Sequence, residues 1–204
     1  MSIQERKEIE KQELRQKIVD VAIELFIDEG FENLSMRKIA DKINYSPTTI
    51  YNYFKDKTDL MFQIMNESFG RFLVNIEKAI GEESSDPLEA MKRGLKAYIQ
   101  TGLDHPKNYR LIFSACTRCN EVELECHHKT ENGEKALEQL IGAVTECINH
   151  GYFTKKDPLD LAQLIWAALH GLTILMIENP HFAINNRDQL KEDMANMIIR
   201  GLKI

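Results

Sequence analysis

The amino-acid sequence predicts an all-α fold of about nine helices. Three observations lead there. Apolar residues recur three and four positions apart from Ile18 to Leu202, helix-opening Ser, Asp and Pro and helix-closing Gly punctuate that pattern, and no alternating strand pattern bounded by turn residues is present. The 204 residues are 43% hydrophobic and 28% charged, a globular balance that excludes a disordered, collagen-like or low-complexity chain. A chain this long buries roughly 70% of its surface on folding, so it needs no disulfide or metal to hold it together.

The first helix carries Ile18, Val21, Ala22, Leu25 and Phe26 on one stripe and ends at Gly30, which tolerates positive φ. Residues 1–14 precede that stripe as a charged arm with no apolar run, so no secretory signal is expected and the chain reads as cytoplasmic. Ser35 is the N-cap of a two-turn helix with Met36, Ile39, Ala40 and Ile43 on its inner face. Asn44 and Tyr45 break the pattern. Ser46 then caps a third helix that opens on Pro47, where the missing N–H costs nothing, and runs to Phe54 with Ile50 and Phe54 inward. Thr58 is expected to cap the fourth helix, with Asp59 near its positive end, running towards Ile80.

Gly81 and the polar run that follows form a turn. Pro87 opens a helix to about Leu103, and Pro106 opens one carrying Tyr109, Leu111, Ile112 and Phe113. From Thr117 to about Gly133 the period lapses, which predicts a loop. Helical spacing resumes at Ala136 and stops at Gly151; Pro158 opens the most apolar helix, closed by Asn179 and Pro180, and a last helix carries Leu190, Met194, Met197, Ile198 and Leu202. The charge-free stretch Leu161–Ile177 is 17 residues long and is interrupted by Gln163, His170 and Thr173, short for a membrane span, so no membrane partner is expected.

Two short helices joined by a tight turn and packed on a longer first helix make a helix-turn-helix, whose second helix enters the major groove of double-stranded DNA. Here that reading helix spans Ser46 to Phe54. Its outer face holds Thr48, Thr49, Tyr51, Asn52 and Tyr53, short or planar hydrogen-bonding side chains suited to base edges, thymine methyls and phosphates. The whole chain is acidic, with 26 Lys+Arg against 32 Asp+Glu for a formal −6. Residues 35–57 nevertheless hold five basic residues against two acidic ones, a local +3 where a phosphate backbone would lie.

The run from Arg15 to Met65, containing AIELFIDEGFENLSMRKIADKINYSPTTIYNYFKDKTDLMF, resembles the DNA-binding domain of the TetR family of bacterial transcriptional regulators. The resemblance rests on Phe26 with Gly30-Phe31, the Ile39-Ala40 pair, Ile50-Tyr51 with Phe54, and the Lys57 to Leu60 step. Family members commonly have Gly where this chain has Thr48. The resemblance implies a DNA-binding domain over 1–57 and an effector-binding and dimerisation domain over 58–204. It also implies that Thr48, Thr49, Tyr51, Asn52 and Tyr53 face DNA and that Lys57 holds a phosphate, with Ser35 and Ser46 adding contacts at helix N-termini.

Operators of such proteins mirror symmetric dimers, and the resemblance implies that the last two helices pair with their copies. Leu164, Ala168, Leu172, Leu175, Met194, Met197 and Ile198 are the expected interface, with the single chain's own core as the competing assignment. The segments WAALHGLTIL and HPKNYRLIF resemble the TetR subgroup named for a Trp-His-Gly motif. Trp166 and His170, four apart on one face, would line a small-molecule effector cavity with Tyr98, Tyr109 and Phe113, or else simply pack the core. Cys116, Cys119, Cys126, His127 and His128 are soft ligands in a spacing that matches no standard zinc module, so metal or thiol sensing stands only as the alternative to effector control. No cofactor is expected. No enzyme is expected either, because the sequence has no Gly-rich phosphate loop, no H-E-x-x-H and no G-x-S-x-G. A helical interaction module without DNA binding is the remaining alternative.

Overall fold

The computed structural model describes residues 2–81, 86–118, 130–179, 181 and 186–203, with backbone alone for 114–118. Among these residues the all-α expectation holds. The helices are α1 (Ile3–Glu29), α2 (Met36–Ile43), α3 (Pro47–Tyr51), α4 (Lys57–Ile80), α5 (Pro87–Asp104), α6 (Pro106–Arg118), α7 (Glu131–Asn149), α8 (Pro158–Glu178) and α9 (Arg187–Leu202). They form two compact units: Met1–Ser68 with Arg110–Thr130, and Phe69–Tyr109 with Glu131–Ile204.

In the first unit the charged arm is helix. α1 starts at Ile3, about four turns ahead of its apolar stripe. Ser2 Oγ accepts the Glu5 N–H at 3.1 Å while the Glu5 carboxylate accepts the Ser2 N–H at 2.6 Å, a capping box, and Arg6 pairs with Glu10 one turn on at 2.8 Å. These local interactions support helix without any buried face, which is why apolar spacing gave no sign of it. Gly30 closes α1 at φ +80°.

Ser35 Oγ caps α2 by accepting the Lys38 N–H at 3.2 Å. Asn44 ends that helix in the left-handed region at φ 61°. The Tyr45 and Asn44 N–H groups close on Ala40 O (2.9 Å) and Asp41 O (3.3 Å), the two bonds of a Schellman turn. Ser46 Oγ then accepts the Thr49 N–H at 3.2 Å and Pro47 occupies the first helical position. α3 stops at Tyr51 rather than Phe54, although the Tyr53 and Phe54 N–H groups both bond to Ile50 O. Asp56, not Thr58, caps α4: its carboxylate accepts the Asp59 N–H at 2.9 Å, and Asp59 reaches back to the Lys55 N–H at 2.9 Å. The unit closes on Ile18, Ala22, Ile39, Ile43, Ile50, Phe54, Leu60 and Ile64, all buried.

The second unit is built around α5, which packs on α7, α8 and α9. Asp86 and Asp157 cap the Pro-initiated α5 and α8 through the Leu88 and Leu159 N–H groups. α7 begins at Glu131, five residues before its apolar period declares itself. Its first inward position is the buried Gly133, which carries no apolar side chain to register. α8 is long and apolar enough to cross a bilayer by length and composition. Its Leu161, Ala162, Ile165, Leu169, Leu172, Thr173 and Met176 are buried in the fold. The end of α9 is tied to the turn after α7 by the Thr154 N–H on Leu202 O at 2.9 Å.

Candidate functional site

The outer face of α3 is set from the inside. Ile50 and Phe54, 0% and 1% exposed, lock the short helix into the core of the first unit and leave Ser46, Thr48, Tyr51 and Asn52 exposed. Tyr51 keeps 55% of its surface in water, an unusual exposure for a large aromatic ring. The other expected contacts are less open. Thr49 is half-buried with Oγ1 3.0 Å from Ser46 Oγ, Ser35 is half-buried at its cap, and Tyr53 packs partly against the core. Lys57 is half-buried at the start of α4, with Nζ 3.9 Å from the centre of the Phe31 ring.

The local +3 is partly spent inside the protein. Lys38 lies 2.5 Å from Glu29 and Lys42 3.1 Å from Glu24, both acids on α1. Arg37 and Lys55 are exposed. Two more cations lie on rings that sequence spacing does not connect to them, Arg15 over Phe54 at 5.5 Å and Lys17 over Tyr45 at 5.9 Å. Nothing local in the sequence signals these pairs, because each joins a cation on α1 to a ring in a connection about thirty to forty residues further on.

Four of the five expected effector-pocket residues meet in the second unit. Trp166 Nε1, which can only donate, bonds to the Tyr98 hydroxyl oxygen at 3.1 Å. The Tyr98 and Tyr109 hydroxyls are 3.0 Å apart, and the Tyr109 hydroxyl is 2.7 Å from His170 Nδ1. With a neutral His170 accepting at Nδ1, donation can run in one direction along the chain: Trp166 to Tyr98, Tyr98 to Tyr109, Tyr109 to His170. Burial holds both tyrosines far above the ordinary phenol range and pushes His170 below its usual value, so all of these groups are neutral near pH 7.

The packing around this chain includes residues that the sequence does not single out. Phe72 meets Tyr98 edge-on at 5.2 Å, and Tyr109 stacks on His170 at 5.6 Å. Gly102 lets α5 approach closely, since a Cβ there would lie 2.5 Å from Thr173 Cγ2 and 2.9 Å from Tyr109 Cδ2. Phe113, the fifth expected residue, is half-buried on the part of α6 that belongs to the first unit.

The seven expected interface residues divide. Leu164, Leu175 and Met197 are 63%, 45% and 57% exposed. Ala168 and Met194 are half-buried, whereas Leu172 and Ile198 are buried in the unit's own core, the competing assignment for them. Of the cysteine–histidine group, Cys119, Cys126, His127 and His128 lie outside the described residues, as does the side chain of Cys116. Among the described residues no group of three or more His, Cys, Asp or Glu is arranged to hold a metal ion. Cys147 is buried with its Sγ 3.6 Å from Pro87 O, and burial, with Asp86 and Glu146, pushes its thiol up to about 11, away from reactive thiolate.

Comparison with known proteins agrees with this geometry. An HTH-type transcriptional regulator of Staphylococcus aureus (strain bovine RF122 / ET3-1) is 36% identical over 93 residues, 46% of this chain and 50% of that protein. The chain spans about half the length of the curated relatives it matches. A Rhodococcus sp. RHA1 protein of unknown function has the same fold, with a TM-score of 0.78 at 20% identity over 94% of this chain and 96% of that one. A TetR family transcription regulator from Marinobacter aquaeolei VT8 aligns with a TM-score of 0.72 at 19% identity, over 96% and 98% of the two chains. Residues 18–64 match the model of the bacterial regulatory proteins of the tetR family. Residues 91–201 match the tetracyclin repressor-like C-terminal domain, a general assignment that does not name the Trp-His-Gly subgroup. With that C-terminal domain over more than half of its length and the tetR-type domain ahead of it, the chain belongs to the TetR family of bacterial regulators.

Proposed function

We propose that the chain is a homodimeric transcriptional repressor, working in the cytoplasm, that binds a pseudo-palindromic operator through α3 and is released by a small-molecule effector. The observation that carries the reading is the α3 surface: Thr48 and Tyr51, with Ser46 and Asn52 at the two ends of the helix, stand exposed, while two nearly inaccessible residues, Ile50 within it and Phe54 just beyond it, fix it from inside. Exposed hydroxyl, amide and phenol groups on a rigid helix suit base-edge and phosphate recognition. Lys57, Arg37 and Lys55 supply positive charge beside it.

In the second unit, the chain from Trp166 to His170 offers neutral hydrogen-bonding groups within apolar surroundings, the composition of a small-molecule site. Trp166, His170 and Gly171 also carry the resemblance to the Trp-His-Gly subgroup. An effector acts by binding one dimer geometry more tightly than the other, which shifts the population away from the DNA-competent one. Nothing among the described residues favours the alternative of sensing through cysteines.

The test is selection from a random-sequence duplex pool on the immobilised full-length protein, followed by fluorescence-anisotropy titration of the recovered duplex. Recovery of a two-fold-symmetric sequence that binds with steep salt dependence is the expected result. Failure to enrich any duplex would overturn the reading.

A further inference from the structure

Cations of the first unit are held in two ways. Lys38 and Lys42 lie against carboxylates. Lys57, Arg15 and Lys17 lie over the rings of Phe31, Phe54 and Tyr45. Contacts of this kind occur about once per 70–80 residues, so three within the first 57 residues are a concentration.

The three differ in what they are free to do. Arg15 is committed to the fold: its ring partner Phe54 is 1% exposed, and its guanidinium also donates to Gln63 Oε1 at 2.6 Å. Lys57 is already a candidate phosphate contact. Lys17 and Tyr45 are both exposed, and Tyr45 keeps 45% of its surface in water, so this pair contributes little to the core. Tyr45 directly precedes Ser46, and residues 44–48 form one continuous exposed run. Lys17 is thereby brought from α1 to the edge of the α3 surface, with Nζ 5.9 Å from the Tyr45 ring.

A ring restrains an ammonium group without cancelling its charge, in contrast to a carboxylate. The ammonium carries three N–H groups, and the ring face engages only part of that capacity. The pair is therefore a restrained full positive charge that can still donate to a phosphate oxygen. We propose that Lys17, laid across Tyr45, is a DNA phosphate contact made from α1, extending the interface beyond α3. The proposal rests on the DNA-binding reading above.

The probe is the duplex recovered by selection, trimmed to about 30 base pairs so that two half-sites one helical turn apart fit on it. Binding is followed by anisotropy across a salt series for wild type, Lys17→Ala, Lys17→Gln and Lys17→Arg. Removing the charge lowers the salt slope by about one per subunit, and Lys17→Arg restores it. A slope unchanged in Lys17→Ala and Lys17→Gln overturns the proposal while leaving DNA binding intact. An Arg variant as deficient as the Ala variant also overturns it, because the loss then follows shape rather than charge. If wild-type protein retains no duplex, the underlying DNA-binding reading fails, and this inference with it.

Discussion

His170 is the group in the half-buried hydrogen-bond chain whose charge changes near neutral pH. Burial lowers its pKa below the 6.5 of the unfolded chain, so between the two values the unfolded state binds more protons. The stability that depends on neutral His170 is therefore fully present above pH 6.5 and is lost as the pH falls below it. Protonation would also force Nδ1 to donate, reversing its bond to Tyr109. Thermal unfolding at about pH 7.5 and about pH 5.5 should show a larger drop for wild type than for His170→Gln; equal drops would remove His170 from the account. The sequence shows Trp166 and His170 as one-turn neighbours, because helical spacing is local. It cannot show Tyr98 beneath Trp166 or Gly102 against Thr173, because those contacts join separate helices whose approach depends on packing. Phe72 carries no signal of its own in the sequence for the same reason, since its ring partners Tyr98 and Tyr109 lie on other helices.

At the scale of elements, caps and prolines were the most legible features. Ser35, Ser46, Pro47, Pro87 and Pro158 act through backbone groups within a few residues, so sequence alone carries them. Thr58 was misread as a cap because the helix already starts at Lys57, which puts Thr58 inside the first turn, while Asp56 accepts the Asp59 N–H with a charged oxygen. That the charged arm before Ile18 is helical leaves no mark in the apolar spacing, because a helix held by its own cap and ion pair has no apolar face to betray it. The attachment of α9 to α5 was invisible for the opposite reason: Glu192 joins Lys92 and Lys96 from nearly a hundred residues away. Hydrogen bonds from the two lysines hold the Glu192 carboxyl down at about 2. Its stabilising effect is present above the unfolded value of 4.5 and is lost as the pH falls towards 2. Glu192→Gln should unfold at a lower temperature than wild type near neutral pH, with the difference shrinking as the pH falls from 4.5 and vanishing only below about pH 2, where the wild-type carboxyl is itself protonated.

At the scale of the whole molecule, the fold and the family were legible because the first helices carry a dense motif and the rest, outside the stretch from Thr117 to about Gly133, follows helical period. The residues expected at a dimer interface divide by exposure. Leu172 and Ile198 share helix faces with the candidate interface but are used up in the core, whereas Leu164, Leu175 and Met197 remain at the surface. Large exposed apolar side chains on adjacent helices are where a second copy would gain most. Light scattering should report about twice 23.6 kDa for wild type and a value near 23.6 kDa for the double variant Leu164→Asp/Met197→Asp. An unchanged mass would move the interface elsewhere.

The ion pairs between α1 and α2 carry a consequence for how DNA affinity reads out. A lysine neutralised by Glu24 or Glu29 holds few condensed anions from the solvent and brings its own tethered counterion. If Lys38 or Lys42 exchanges its carboxylate for a phosphate, the cations displaced from DNA are partly matched by those recruited to the abandoned glutamate. Such an exchange registers weakly in a salt titration, whereas a lysine on a neutral ring registers in full. The number of ions released on binding would then undercount the phosphates touched by this protein, and replacing Glu24 and Glu29 with glutamine would steepen the dependence of affinity on salt without adding a single contact.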